Sequence, residues 1–154
     1  MLEDCQNAQE RWGGVSQIID RWLQNRQNLL VLYCSLSDIA GDPDKIERGG
    51  ELKSMCQIMV DYVSAGHFEI YDQLLKEGRE FNDKDGLKQA SELFKIIDRS
   101  TEFALDFNDK YLETDDLDSI DKDLSRLGEI LVERFESEDK MIDVLHTAHK
   151  DQVA

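Results

Sequence analysis

The chain is short of the residues that break helices. Its 154 residues hold one proline, Pro43, and nine glycines. Closely spaced strands and tight turns need more punctuation than that, so an all-β fold is excluded. Cysteine is scarce as well. Cys5, Cys34 and Cys56 are odd in number and lack CxxC spacing, which argues against a disulfide framework and fits free thiols in a reducing compartment. Long apolar runs are missing. The longest uncharged stretch, Gln27 to Ser37, is too short for the roughly 20 residues a bilayer span requires. The N-terminus, Met-Leu-Glu-Asp-Cys, has neither the basic start nor the apolar run of a secretory signal. The expected location is the cytoplasm, with no membrane partner. Positive charge is the last deficit. Lys and Arg total 18 against 34 Asp and Glu, a formal net charge of −16. Direct nucleic-acid binding needs clustered bases and is excluded as an expectation.

What is present is a helical pattern. Apolar residues recur at steps of three and four, and the 40% hydrophobic content is enough to build a core. A first long helix is predicted from about Val15 to Leu36, with Val15, Ile19, Trp22, Leu29, Tyr33 and Leu36 on one face. Gly13-Gly14 is expected to separate it from a short helical arm, Glu3 to Trp12, and Gly41-Asp42-Pro43 to form the loop after it. A second helix starts near Glu51, and Gly66 in its middle predicts a kink or a break. After Asn82 to Gly86, with Asp83 or Asp85 as the cap, a third helix runs to about Leu112. Asp115 to Asp118 form a loop, and a fourth helix runs from about Ser119 to Ala148. These elements predict an all-α fold: one domain, residues 1–154, built as an antiparallel four-helix bundle with a short N-terminal arm.

Several polar residues stand where apolar ones belong. At about 100° per residue, Arg26 and Glu138 fall inside the apolar arcs of their helices. His67 and Arg134 lie at the margins. Buried charges require partners, so Arg26 and Glu138 are expected to pair, with His67 in reach of Glu138. Two readings fit this cluster: a satisfied polar network, or a polar pocket that takes a ligand. Asp61 is isolated, the only formally charged residue between Lys53 and Glu69. It is expected at a groove or held by an internal group such as Arg21 or His67. Cys34 and Cys56 read as core residues.

Enzymatic motifs are not found: the sequence has no HExxH, P-loop, GxSxG or Rossmann spacing. The three histidines, His67, His146 and His149, do not supply the two Glu-x-x-His pairs of a di-iron bundle. No cofactor and no metal site are expected. An acidic stripe, Asp98, Glu102, Asp106, Asp109 and Glu113, recurs at steps of three and four along the third helix. The region from Asp98 to Asp123 holds ten acids and three bases. It reads either as a solvated face or as a surface that steers a basic protein.

Four stretches carry a family resemblance. They are Asp20-Arg21-Trp22-Leu23 with Arg26 and Leu29-Leu30-Val31; Val60-Asp61-Tyr62-Val63-Ser64-Ala65-Gly66-His67-Phe68-Glu69-Ile70-Tyr71; Tyr111-Leu112-Glu113-Thr114; and Leu127-Gly128-Glu129 through Glu133-Arg134-Phe135 to Glu138-Asp139-Lys140. The sequence resembles the Rsd/AlgQ family of bacterial anti-sigma factors, and Cys5 to Val15 is most similar to the AlgQ branch. The resemblance implies a helical, non-enzymatic transcription regulator, typically of stationary phase. It would bind the primary housekeeping sigma factor, chiefly the domain that reads the promoter −35 element, and keep it from core RNA polymerase. Carried over by position, Asp61 and Ser64 are the expected sigma-binding residues. Arg26, His67, Arg134 and Glu138 are the groove-lining or supporting polar network. The alternative is a small-ligand- or metal-binding helical bundle. A monomer is the expected state.

Overall fold

The computed structural model describes residues 8–38, 45–113 and 117–153. Helix α1 spans Ala8–Asp38 and α2 spans Lys45–Ala65. A single π-turn, Gly66–Ile70, joins α2 without interruption to α3, Tyr71–Glu80. Helix α4 spans Lys84–Glu113 and α5 spans Ile120–Leu145. A 3₁₀ turn, Thr147–His149, and a last turn α6, Lys150–Val153, close the described chain. Because α2, the π-turn and α3 form one rod, the described residues make four long rods. α4 packs along α5, α1 along α2, and α2 against α4. This is the all-α bundle that the periodicity predicts.

The apolar stripes meet in one core. Trp22, Leu29 and Leu36 enter it from α1, Met55, Met59 and Tyr62 from α2, Ile97 and Phe107 from α4, and Leu127, Leu131 and Met141 from α5. Neighbouring rods approach closely where side chains are small. A Cβ on Gly128 would collide with the Tyr33 hydroxyl, which donates to the Leu124 carbonyl at 2.8 Å.

Gly13-Gly14 does not break the first helix. Two interior glycines cost about 1 kcal/mol each in propensity, but the residues on both sides are held. Trp12 stacks on His146 at 4.2 Å, and Val15 is buried in the core. Tertiary packing therefore carries α1 through the pair, and the described part of the expected arm is the first turns of α1. Glu3 to Asn7, Gly41-Asp42-Pro43 and Asp115-Asp116 lie outside the described residues. At the other end α5 stops at Leu145, before the predicted Ala148, and the chain turns at His146.

The α3–α4 corner shows how local chemistry sets a boundary. Asn82 has φ 53°, the left-handed conformation that asparagine tolerates better than most residues. Asp83 N–H donates to Gly78 O at 2.9 Å and Asn82 N–H to Arg79 O at 3.0 Å, the paired bonds of a Schellman motif. Asp83 then caps α4, its Oδ1 accepting Gly86 N–H at 2.9 Å. That bond, followed by one from His149, holds the Asp83 carboxyl below its ordinary value of 3.8. A depressed carboxyl adds stability above its unfolded pKa, and the gain is lost as pH falls through the folded value. Asp83→Ala should cost about 1 kcal/mol near neutrality, the usual worth of such a cap. The gap between the variant and parent unfolding midpoints should shrink as pH falls through the folded value of this carboxyl. A gap that persists unchanged at low pH would contradict the role of the ionised cap.

Candidate functional site

The centre of the bundle holds a closed polar network built around Glu138, which is 1% exposed. Its Oε1 accepts the Tyr62 hydroxyl at 2.6 Å and Arg26 Nη2 at 3.4 Å. Its Oε2 accepts Arg134 Nε at 3.2 Å and the Tyr71 hydroxyl. Arg134 is fully buried. Its Nη1 donates to Ser100 Oγ at 2.9 Å and Thr101 Oγ1 at 2.7 Å, and its Nη2 to the Tyr71 hydroxyl at 2.9 Å. Arg26 lies at the rim. It donates to Asp139 at 2.6 Å and to the Tyr62 hydroxyl at 3.0 Å, and its guanidinium stands 4.7 Å from the Phe135 ring centre.

Burial pushes the Glu138 carboxyl above the usual carboxylate range, against the pull of Arg134, the two phenols and Arg26. Burial and the neighbouring Glu138 push both phenols upward. Burial works to lower Arg26, but Tyr62, Asp139 and Glu138 outweigh it and hold this guanidinium above its ordinary value. Each carboxylate oxygen accepts two donors, so the protein itself fills the site. Of the two sequence readings, the arrangement is that of a satisfied network. It ties α1, α2, α3 and α5 to one carboxylate, and Arg134 carries the tie on to Ser100 and Thr101 of α4.

Arg26 and Glu138 do meet, as the arcs predict, but the arcs understate Arg134, the buried member. His67 does not join them. It is exposed and sits edge-on to Phe68, ring centres 4.9 Å apart. The cause is the π-turn, whose i→i+5 bonding adds a residue to the turn. Gly66, Ile70 and Tyr71 take the inward positions, and His67, Phe68 and Glu69 are left outside. Gly66 suits this place. A Cβ there would stand 3.0 Å from Trp22 Cζ2 and 3.0 Å from the Tyr71 hydroxyl. Tyr62 and Tyr71 were not legible as partners of one carboxylate. Nine residues apart, they lie about 180° apart on an unbroken α-helix, and the π-turn removes that opposition.

Asp61 and Ser64 lie just before the turn. Asp61 is exposed and accepts a bond from Gln57 Nε2 at 3.2 Å, one turn earlier on the same helix. Ser64 is half-buried. Asp61 thus faces outward at the surface, rather than being tied to Arg21 or His67. The five acids of the α4 stripe are exposed too. Cys56 is buried, and burial pushes its thiol up to about 11. Cys34 is exposed, contrary to its core reading, because it falls beside the buried Leu29–Leu36 stripe rather than on it.

The C-terminal histidines were not recognised as supports. His146 is buried, its Nδ1 at 2.8 Å from Glu77 Oε2 and its Nε2 at 2.7 Å from Ser16 Oγ. His149 Nε2 is 2.8 Å from Asp83 Oδ2. The signal available in the sequence was a pair of histidines on a chain end that must fold back. Ser16, His146 and Glu77 have the connectivity of a hydrolase triad. However, Ser16 stands inside α1, where its backbone N–H belongs to the helix ladder and supplies no oxyanion hole. Trp12 covers the imidazole face. The trio therefore acts as a strut between α1, α3 and the chain end. Among the described residues, no group of three His, Cys, Asp or Glu side chains is placed to hold a metal, and no helix is long and apolar enough to cross a membrane.

Fold and site together define a helical bundle whose inner polar cluster is satisfied from within and whose α4 face is acidic. Over residues 1–146 the chain matches the family described as regulator of RNA polymerase sigma(70) subunit, Rsd/AlgQ. It is 36% identical to the "Regulator of sigma D" proteins of Salmonella arizonae, Salmonella typhi and Salmonella newport, an alignment that covers 98% of this chain and 95% of each relative. The chain belongs to the Rsd/AlgQ family.

Proposed function

We propose that this protein binds the primary housekeeping sigma factor, chiefly through the domain that reads the −35 element, and withholds it from core RNA polymerase. The observation that carries this reading is the family match across residues 1–146. The charge supports it. A domain that contacts DNA phosphates must present Lys and Arg, and a surface of net charge −16 can occupy those groups in place of DNA. The binding residues proposed are Asp61 and Ser64. Arg26, Arg134 and Glu138 support them from within by fixing the rods. His67 stands at the surface beside them and is kept as a flank of the binding face. The ligand-binding alternative has no comparable support, since the donors around Glu138 are already engaged.

Mixing the purified protein with primary sigma factor at increasing salt tests the proposal. A stable complex is expected, and its association rate should fall about tenfold or more between low and high salt, since screening limits charge steering to about 8 Å at physiological ionic strength. Absence of a complex would defeat the reading. A salt-independent association rate would remove the acidic surface from it.

A further inference from the structure

Between α1 and the π-turn lies a cavity of about 220 Å³. Its floor is made by Ile18, Trp22 and Ile70, which are almost wholly buried and offer it little apolar surface. Its walls are polar. Arg21 and Asn25 stand on the α1 side, at i and i+4 and so on one face of that helix. Glu69 stands on the other side, within the π-turn. The extra residue of that turn is what leaves Glu69 outside, at the mouth of the cavity, while Ile70 points in. All three polar side chains are exposed. Among the described residues, no hydrogen bond or ion pair engages Arg21, Asn25 or Glu69. A guanidinium, an amide and a carboxylate thus line one hollow without pairing across it. The buried cluster at Glu138 is the reverse case, since its donors and acceptors are consumed by one another.

We propose that this cavity is a binding site for a small zwitterion, a free α-amino acid with a side chain no larger than that of serine. The ligand carboxylate meets the Arg21 guanidinium and the Asn25 amide N–H, and the ligand ammonium meets the Glu69 carboxylate. The site stands independently of the sigma reading and needs no partner protein. Charge selects the class. A lone anion would gain Arg21 but would meet Glu69 and the field of a chain of net charge −16. A lone cation would gain Glu69 but would meet Arg21. An apolar molecule would strip water from three polar groups and return no hydrogen bond. A molecule that carries both charges and no net charge answers both walls. The planar guanidinium fork suits a carboxylate, which it can hold with two parallel bonds. Size follows from the floor: with so little apolar surface there, a long aliphatic side chain gains nothing. Because the charged walls are open to water, each contact is weakened by screening, and a dissociation constant on the order of 1 mM is expected.

Titration of glycine, L-alanine and L-serine into the isotope-labelled full chain, followed by backbone amide NMR shifts, tests the proposal. Glycinamide, which lacks the carboxylate, and N-acetylglycine, which lacks the ammonium, are titrated alongside at matched ionic strength. Saturable shifts are expected around Arg21 and Asn25 and in the π-turn, with both blocked compounds at least about tenfold weaker, the usual loss of a charge-assisted contact. Arg21→Gln and Glu69→Gln should each weaken glycine about tenfold. Their unfolding midpoints should match the parent, because neither side chain has a partner within the described chain. Absence of a saturable shift for all three amino acids up to about 20 mM overturns the site. Equal binding of glycine and N-acetylglycine, or unchanged glycine affinity in Arg21→Gln, overturns zwitterion recognition. L-leucine binding more tightly than L-alanine overturns the small-ligand assignment.

Discussion

Glu138→Ala should lower the free energy of unfolding by about 3–5 kcal/mol, the cost of leaving buried charge without its partner. The substitution removes the acceptor of two guanidinium groups and two phenols at once. Arg134→Ala should fall in the same range, since Arg134 is fully buried and its loss takes the buried cation from Glu138 and a donor from the Ser100 and Thr101 hydroxyls. Arg26→Ala should cost less. Its side chain is 12% exposed, and its shortest ion pair is to the exposed Asp139. The Glu138→Ala, Arg134→Ala double variant should lose at least about 1 kcal/mol less than the sum of the singles, because each single already destroys the shared contact. Urea unfolding of the four proteins measures this directly. Strict additivity, or an Arg134→Ala as mild as a surface change, would show that the network does not hold the rods.

The second large effect belongs to Asp61 and should leave stability alone. Asp61→Asn keeps the side-chain shape and removes the charge. The one bond seen at this carboxylate comes from Gln57 four residues earlier, an exposed pairing worth a few tenths of a kcal/mol at about 0.2–0.5. The helical spectrum and the unfolding midpoint should therefore stay close to those of the parent. If the carboxylate meets a cation or amide of sigma, the loss of a charge-assisted hydrogen bond, about 1.5–3 kcal/mol, weakens binding roughly ten- to hundredfold. Unchanged affinity would remove Asp61 from the binding face. A lowered midpoint would return it to the fold.

The rods and the core faces were legible because period and burial agree along Val15 to Leu36 and along Ile120 to Leu145. Val15, Ile19, Trp22, Leu29 and Leu36 stand where the first stripe puts them. Arg26 and Glu138 were legible because a charge within an apolar arc must be answered. The rest failed for identifiable reasons. An angular plot assumes one rotation per residue, and the turn at Gly66–Ile70 breaks that assumption, moving His67 out and bringing Tyr71 to Glu138. Propensity read Gly13-Gly14 as a boundary, but the Trp12–His146 stack is a contact between residues 134 positions apart, which no local window contains. Glu77 and Ser16 were invisible for the same reason: each is an ordinary helix residue until the chain end folds over it. The exposure of Asp61 was open at the sequence level, since its apolar neighbours fit either a groove or an internal partner.

The π-turn also makes length a determinant, separate from composition. Between Tyr62 and Tyr71 the chain carries one residue more than a plain helix would, and the π-turn absorbs it. Nine plain helical steps would set the two tyrosines about 180° apart, whereas eight leave them about 80° apart, close enough to reach one carboxylate. Removing one residue from the turn would therefore give plain helix and keep Tyr71 on the side of Glu138. Straightening the turn with all nine residues kept would swing Tyr71 away. Interval and turn are thus matched: a chain with both tyrosines and a later Glu can build the same cluster either with nine residues and a π-turn or with eight and none.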